Sequence, residues 1–361
     1  MNQSKLYHEG EYRILIATDL HLKVKNPKTR YNYIQEQYDM INTIVETVLH
    51  YKINLLIWLG DIYDGDFVGP KSDSINLYFL SRMQHLKSQG VEIYTLMGNH
   101  EKHKYMNSLC PLFKVISYGS EKIIKELSLT GYAMDTMTLG ILDTTDQLII
   151  NDKLCITMHH FSDNDKTYLT EPNDYKFNLG LFHDAILPSK ARKHIHAISN
   201  SDVGKYSKVA YNDKMLNNLN YAVFGDIHAK IGEMLIQTET GECLADIPGS
   251  LMRTQSGIAQ AHESVDLPMF TLNGDTLTKE HINIKMWEYD KSFKKDIVTE
   301  NKKKYADLKE LKNNLEQVVV KKNFIEDRET FSKDTQAILG EILDTGDFKL
   351  KDMEEITEFI K

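Results

Sequence analysis

Only three cysteines occur in 361 residues, and Cys110, Cys155 and Cys243 stand far apart. They fit no CxxC spacing, which argues against a disulfide framework and against a zinc–thiolate site. A reducing, cytoplasmic setting is the expectation that follows. No apolar run approaches the roughly 18–20 residues needed to cross a bilayer, so no membrane association is expected. Residues 1–10 are polar and offer no apolar stretch of the signal-peptide kind. Excess positive charge is missing too. The formal net charge is −9, which weighs against a stand-alone nucleic-acid-binding module. Much of that charge sits in residues 323–361, where eleven Asp or Glu face five Lys or Arg. The body is therefore close to neutral, and bound cations would offset its carboxylates further. No internal repeat and no low-complexity tract is evident.

What is present is an alternation of short apolar runs and helical periodicity. Residues 12–18 (YRILIAT), 53–59 (INLLIWL) and 91–97 (VEIYTLM) read as buried strands. Between them, residues 31–51 carry Ile34, Tyr38, Ile41, Val45 and Val48 at helical spacing, and residues 74–88 read as a second helix. That order predicts βαβ units in a buried sheet. From about residue 119 to 290, short apolar runs dominate: 139–142, 148–150, 154–158, 179–182, 221–224, 234–237 and 268–272. They predict a second sheet, with residues 162–178 and 187–218 as polar loops. The fold class expected is α/β, a four-layer α/β/β/α sandwich with a helical C-terminal extension. Two domains are expected, 1–290 and a Lys- and Glu-rich helical module over 291–361. In that module, Tyr305, Leu308, Leu311, Leu315 and Val318 share one helical face.

Chemistry gathers where strands end. The first three strands run into Asp19-Leu20-His21, Gly60-Asp61-Ile62-Tyr63-Asp64 and Gly98-Asn99-His100-Glu101. Later, residues 179–182 end at His183, and residues 221–224 end at Gly225-Asp226-Ile227-His228. Open α/β sheets bind ligands beyond the carboxyl ends of their strands, so these clusters should converge. Carboxylate, imidazole and amide oxygen together suit hard to borderline divalent cations, and the set is larger than one ion needs. DxH alone is a weak signal, and Gly-Asp is ordinary turn chemistry. The ordered series DxH, GDxxD, GNHE, H, GDxH is specific. His159 and His160 follow residues 154–158 and compete with His183; order along the chain favours His183.

The series resembles the calcineurin-like metallophosphoesterases, and within them the SbcD-like DNA repair nucleases with their bacteriophage relatives. Asp19-Leu20-His21-Leu22, the hydrophobic–aromatic spacing of residues 60–64 and Ile247-Pro248-Gly249-Ser250-Leu251 carry the likeness to that branch. It covers about residues 12–275.

The resemblance implies a hydrolase, a Mn-dependent DNA exo- or endonuclease, with two divalent metal ions (Mn, with Mg, Fe or Zn as substitutes). Asp19, His21, Asp61 and His228 would hold the first metal. Asp61, Asn99, His183 and Asp226 would hold the second, with Asp61 bridging. His100 would be catalytic and meet the substrate rather than a metal. Asp64 and Glu101 are candidates to steady the ligating imidazoles. The resemblance further implies DNA as substrate, a homodimer, and an SbcC-like ATPase docked on the C-terminal helices in DNA repair or recombination. Two departures stand out. The branch has histidine where Asp226 stands, and Asp where Glu101 stands. They keep two alternatives in view: a phosphodiesterase or phosphatase acting on small nucleotides or phosphoproteins, and a catalytically weak binding scaffold. Trp58 is expected in the core, and Arg253 either near the site or on the surface.

Overall fold

The computed structural model describes residues 3–23, 26–64, 73–102, 142–161, 168–201, 209–253, 262–294 and 298–299. The chain forms two compact units, Met1–Lys295 and Asp296–Lys361. The expected helical module over 291–361 falls outside the described residues beyond 294, apart from residues 298 and 299.

In chain order the first unit begins with β1 (Gln3–Leu6), β2 (Tyr12–Ala17), α1 (Tyr33–His50) and β3 (Leu55–Trp58). It continues with α2 (Asp73–Ser88), β4 (Glu92–Thr95) and the single turn α3 (Asn99–Lys102). Then come β5 (Gln147–Ile150), β6 (Leu154–His159), β7 (Phe177–His183), β8 (Ile186–Leu187), α4 (Arg192–Ser201), β9 (Ala210–Tyr211) and β10 (Tyr221–Gly225). The last elements are β11 (Gly232–Thr238), β12 (Gly241–Ile247), β13 (Ser264–Asn273), β14 (Thr276–Lys285) and the short α5 (Tyr289–Ser292).

Two sheets pack face to face. One has five strands in the order β14-β13-β2-β3-β4, the other seven in the order β1-β5-β6-β7-β10-β12-β11. β2, β3 and β4 are parallel, as are β6, β7, β10 and β12. The period of two explains the layers. Along β2, Ile14 and Ile16 face the seven-stranded sheet, whereas Leu15 and Ala17 face α1 and α2. Leu148, Ile156, Leu181 and Val223 meet Ile14, Ile16 and Ile57 in the layer between the sheets. Phe182, Phe224 and Ala245 point outward from the seven-stranded sheet and are covered by Ala191, Ile195, Met215 and Leu216. The result is the expected four-layer sandwich, helix, sheet, sheet and helix. Full burial of each Leu, Ile, Val or Phe contributes about 1.5–3 kcal/mol.

α1 begins at Asn32, whose side chain accepts from Gln35 N at 3.3 Å. Its buried stripe includes Met40, Ile41, Ile44, Val45 and Val48, with Glu36 and Gln37 as buried polar members. Ile34, expected on that face, is only half-buried, because Tyr33 takes the inner position. Trp58 is fully buried against Phe79, as expected.

Several elements depart from the sequence reading. β1 forms from polar residues and pairs with β5 in parallel at the sheet edge. β12 and β14 arise where no strand is expected, and α4 interrupts the expected loop 187–218. β14 alternates imperfectly to the eye because Lys279 and His281 occupy its inner face. There they meet Asp246 and Glu233 of the other sheet. Arg253 is neither at the site nor on the surface. It is buried and bonds the carbonyl oxygens of His262 and Trp287. The expected strand 139–142 lies, apart from Leu142, outside the described residues. Among the described residues no helix is long and apolar enough to cross a membrane.

Candidate metal centre

Every residue of the motif series lies just past a strand or at its last position, where both sheets present their carboxyl ends. Asp19 and His21 follow β2, Asp61 follows β3, and Asn99 opens the turn after β4. His183 closes β7, and Asp226 and His228 follow β10. Asp19, His21, Asp61 and Asp226 all take the left-handed backbone, with φ of 45, 47, 47 and 66°. Asp tolerates that region better than most residues, and such strain concentrates at functional sites. Asp19 and His21 reach the site while Leu20 between them packs in the core, and Asp226 and His228 reach it while Ile227 packs in the outer apolar layer.

Two groups of donors result. Asp19, His21, Asp61 and His228 form one, and Asp61, His183 and Asp226 the other, each with ligand atoms within 4.8 Å of one another. Asp61 belongs to both. Its Oδ1 lies 3.3 Å from His183 Nε2 and its Oδ2 3.6 Å from His21 Nε2. His21 Nε2 and His228 Nε2 approach to 2.8 Å. Asn99 joins the second group by donating Nδ2–H to Asp226 Oδ1 at 3.1 Å. That orientation leaves Asn99 Oδ1 buried without a hydrogen bond, and His183 Nε2 is buried without one as well.

The environment favours cations. Asp19 and Asp61 are fully buried. Burial pushes Asp19 up to about 7, with His183 pulling it back and Asp61 adding to the rise. Burial likewise raises Asp226 to about 6. Burial also opposes Asp61's charge, but His183, His21 and His100 outweigh it and hold Asp61 well below the usual carboxylate range. Burial pulls His183 down, yet the carboxylates of Asp61, Asp19 and Asp226 raise it well above its ordinary value. Burial lowers His21 to about 3, so it is neutral and able to donate a lone pair. Three carboxylates sharing one pocket, with orphaned donor atoms beside them, fit a pair of divalent cations. The set holds oxygen and nitrogen and no sulfur, which suits Mn, Fe or Zn more than a thiolate-seeking ion.

Glycines shape the centre by making room. A Cβ on Gly60 would lie 2.5 Å from His183 Nδ1, and one on Gly225 would lie 2.7 Å from the same atom. The His183 ring is thus held between two bare backbones. Gly249 has φ +85, and a Cβ there would lie 2.9 Å from Lys230 N. Ser250 N donates to His228 O and Leu251 N to Thr18 O, both at 3.3 Å. Residues 249–251 therefore brace the first and last motifs together.

His100 stands at the mouth. Its side chain is 30% exposed, against 8% for His228 and none for His21 and His183. Its Nε2 lies 3.9 Å from Asp61 Oδ2, and its Nδ1 lies 3.3 Å from Asp64 Oδ1. Asp64 also pairs with Lys23. Burial raises Asp64, but His100 and Lys23 more than reverse that. The Glu101 side chain lies outside what is described. His159 and His160 are elsewhere. His159 stacks on Phe182, with Thr170 Oγ1 3.4 Å from its Nε2, and His160 Nδ1 accepts from Met97 N.

Sequence reasoning missed Lys23, Thr18, whose hydroxyl donates to Asp19, and Asp184, a buried carboxylate that accepts from Tyr168 OH. The available signal for Lys23 was its place two residues beyond His21.

The calcineurin-like phosphoesterase family model matches residues 12–230. The chain belongs to that family, a class of metal-dependent hydrolases. Comparison with curated proteins gives no match. Among solved structures, a dimetal phosphatase from Danio rerio is similar at 11% identity and a TM-score of 0.41. That alignment covers 77% of this chain and 100% of the other.

Proposed function

We propose that this phosphoesterase is a Mn-dependent nuclease of the SbcD-like branch, cleaving DNA phosphodiester bonds at the centre just described. The observation that carries a two-cation phosphoesterase is Asp61, which stands in both donor groups. Asp19, His21, Asp61 and His228 would hold one cation, and Asp61, Asn99, His183 and Asp226 the other. Bound there, divalent cations supply Lewis acidity and an activated water. The chain's own part is positional. Buried carboxylates fix the donor spacing, and Leu59 O fixes the His183 ring. His100, with a hydrogen on each ring nitrogen, would face the phosphoryl group with Nε2 at the exposed mouth and hand that Nε2 proton to the departing oxygen, leaving the neutral ring protonated on Nδ1. Asp64 Oδ1 lies 3.3 Å from the other ring nitrogen and holds the imidazole in that role.

The nuclease branch is supported by residues 247–251, whose Gly249 and Ser250 sit against the His228 segment. A second reading, hydrolysis of small nucleotides or phosphoproteins, is favoured by Gly98-Asn99-His100-Glu101. Titration of the full-length chain with Mn against linear double-stranded DNA and bis-p-nitrophenyl phosphate separates them. Degradation of DNA supports the nuclease, and turnover of the small ester alone replaces it with the second reading. Loss of both activities would leave a binding scaffold. On the same reading, the chain works as a homodimer with an SbcC-like ATPase bound through residues 291–361. Co-purification of that ATPase with the full-length chain, and not with one shortened after residue 290, is the expected result.

A further inference from the structure

We propose that Lys23 is a positioning residue for His100, acting through Asp64. The proposal rests on the reading that His100 meets the substrate of a phosphoesterase. Nothing in the motif series gives Lys23 a role.

The backbone places Lys23 and Asp64 side by side. Beyond the ends of β2 and β3 the two chains stay paired: His21 N donates to Asp61 O at 2.9 Å and Leu22 N to Ile62 O at 2.8 Å. Asp64 N then donates back to Leu22 O at 3.0 Å. Lys23 is gripped from the helix side by Gln37, a fully buried residue of α1. Gln37 Oε1 accepts from Lys23 N at 2.5 Å, and Gln37 Nε2 donates to Lys23 O at 3.0 Å. A buried amide that satisfies both backbone groups of one residue leaves that residue little freedom. The Lys23 side chain is 23% exposed, and its Nζ bonds Asp64 Oδ2.

The carboxylate is thereby divided. Oδ2 takes the ammonium, and Oδ1 remains for His100 Nδ1 at 3.3 Å. The terminal torsion of an aspartate is soft, so an unanchored Asp64 would turn freely. An ionised carboxylate only accepts, so the Nδ1 facing it must carry a hydrogen. Nε2 is then the nitrogen left for the substrate. Lys23 also counters a competing use of Asp64. His21, Asp64 and His100 themselves form a group of potential metal donors. An ammonium bonded to Asp64 keeps that carboxylate in service to His100.

The test uses full-length protein and four variants: Lys23→Met, Lys23→Arg, Asp64→Asn and the Lys23→Met/Asp64→Asn double. Turnover of bis-p-nitrophenyl phosphate with Mn is measured beside the 15N chemical shifts of His100 in metal-free protein. Lys23→Met is expected to lower kcat about tenfold with KM almost unchanged, as supporting partners of site residues do. Lys23→Arg is expected to recover most of the loss. In the Asp64→Asn background, Lys23→Met is expected to add nothing further. The 15N shifts are expected to show less Nδ1-protonated His100 in Lys23→Met. A raised KM with kcat intact would make Lys23 a substrate-binding cation and overturn the proposal. So would losses that multiply in the double variant, or an unchanged tautomer. If the unaltered chain hydrolyses no phosphoester, the functional reading fails, and the tautomer measurement alone decides for or against Lys23.

Discussion

His183 Nδ1 donates its hydrogen to the carbonyl oxygen of Leu59. A carbonyl only accepts, so this bond decides that Nε2 faces Asp61. The bond needs the ring pressed against the backbone, and the glycines on either side permit that approach. Gly225→Ala places a methyl group where the ring and the Leu59 carbonyl already stand. The expected cost is about 1–3 kcal/mol. Urea unfolding of metal-free protein measures it. Weaker binding of one of two Mn ions is expected in the same variant, and an unchanged second binding event would contradict the role given to His183.

Asp61 serves both donor groups, whereas Asp226 serves one. Asp226→Ala is expected to reduce Mn stoichiometry from two to one, and Asp61→Ala to weaken both sites. Isothermal calorimetry with metal analysis of the dialysed protein reads the count directly. Equal loss in the two variants would refute the sharing.

Metal uptake is expected to release protons. Without cations, Asp19 is raised to about 7 and Asp226 to about 6, chiefly by burial. Near pH 6 these carboxyls are substantially protonated, and a cation must displace those protons. Mn affinity should therefore rise with pH from about 6 and go on rising above 7, because His183, itself held well above its ordinary value by the carboxylates, must also give up a proton. Calorimetry in buffers of different ionisation enthalpy counts the protons. Affinity independent of pH through that window would show the carboxylates already ionised.

Asp246 and Lys279 join the two sheets far along the chain from the motif series. Burial would raise Asp246, but His281 and Lys279 hold it below the usual carboxylate range. Its stabilising contribution is therefore complete above the unfolded value near ~3.9 and declines as pH falls through the lower folded value. Asp246→Ala leaves Lys279, a side chain only 4% exposed, with Glu233 as its remaining carboxylate. The expected loss is about 1–3 kcal/mol at neutral pH. Parallel urea titrations of both proteins at neutral and strongly acidic pH check it, with the difference shrinking in acid.

Much of this architecture was legible because the central strands are buried on both faces. A continuous apolar run such as residues 55–58 has few alternatives to a parallel strand. The site was legible for a related reason. Polar residues that interrupt such runs stand at strand ends, where topology brings them together. Edges were harder. β1 and β14 carry polar side chains because one face meets solvent or, at Lys279 and His281, an ionic partner on the other sheet. No local pattern reveals a partner over thirty residues away. α4 was hidden by a basic, weakly apolar sequence in which Ile195 is a buried anchor. Arg253 shows the same limit. Its side chain is satisfied by backbone carbonyls, which leave no trace in residue identity.

Each donor group draws from both sheets. His228 meets three residues delivered by the five-stranded sheet, and Asp61 meets two delivered by the seven-stranded one. The apolar layer of Ile14, Ile57, Leu181 and Val223 is thus also a spacer, because its thickness sets how far apart the two halves of the centre stand. Side-chain volume far from any charged group becomes a gauge of donor separation. A core substitution in that layer can retune which ion the centre prefers without touching a single ligand.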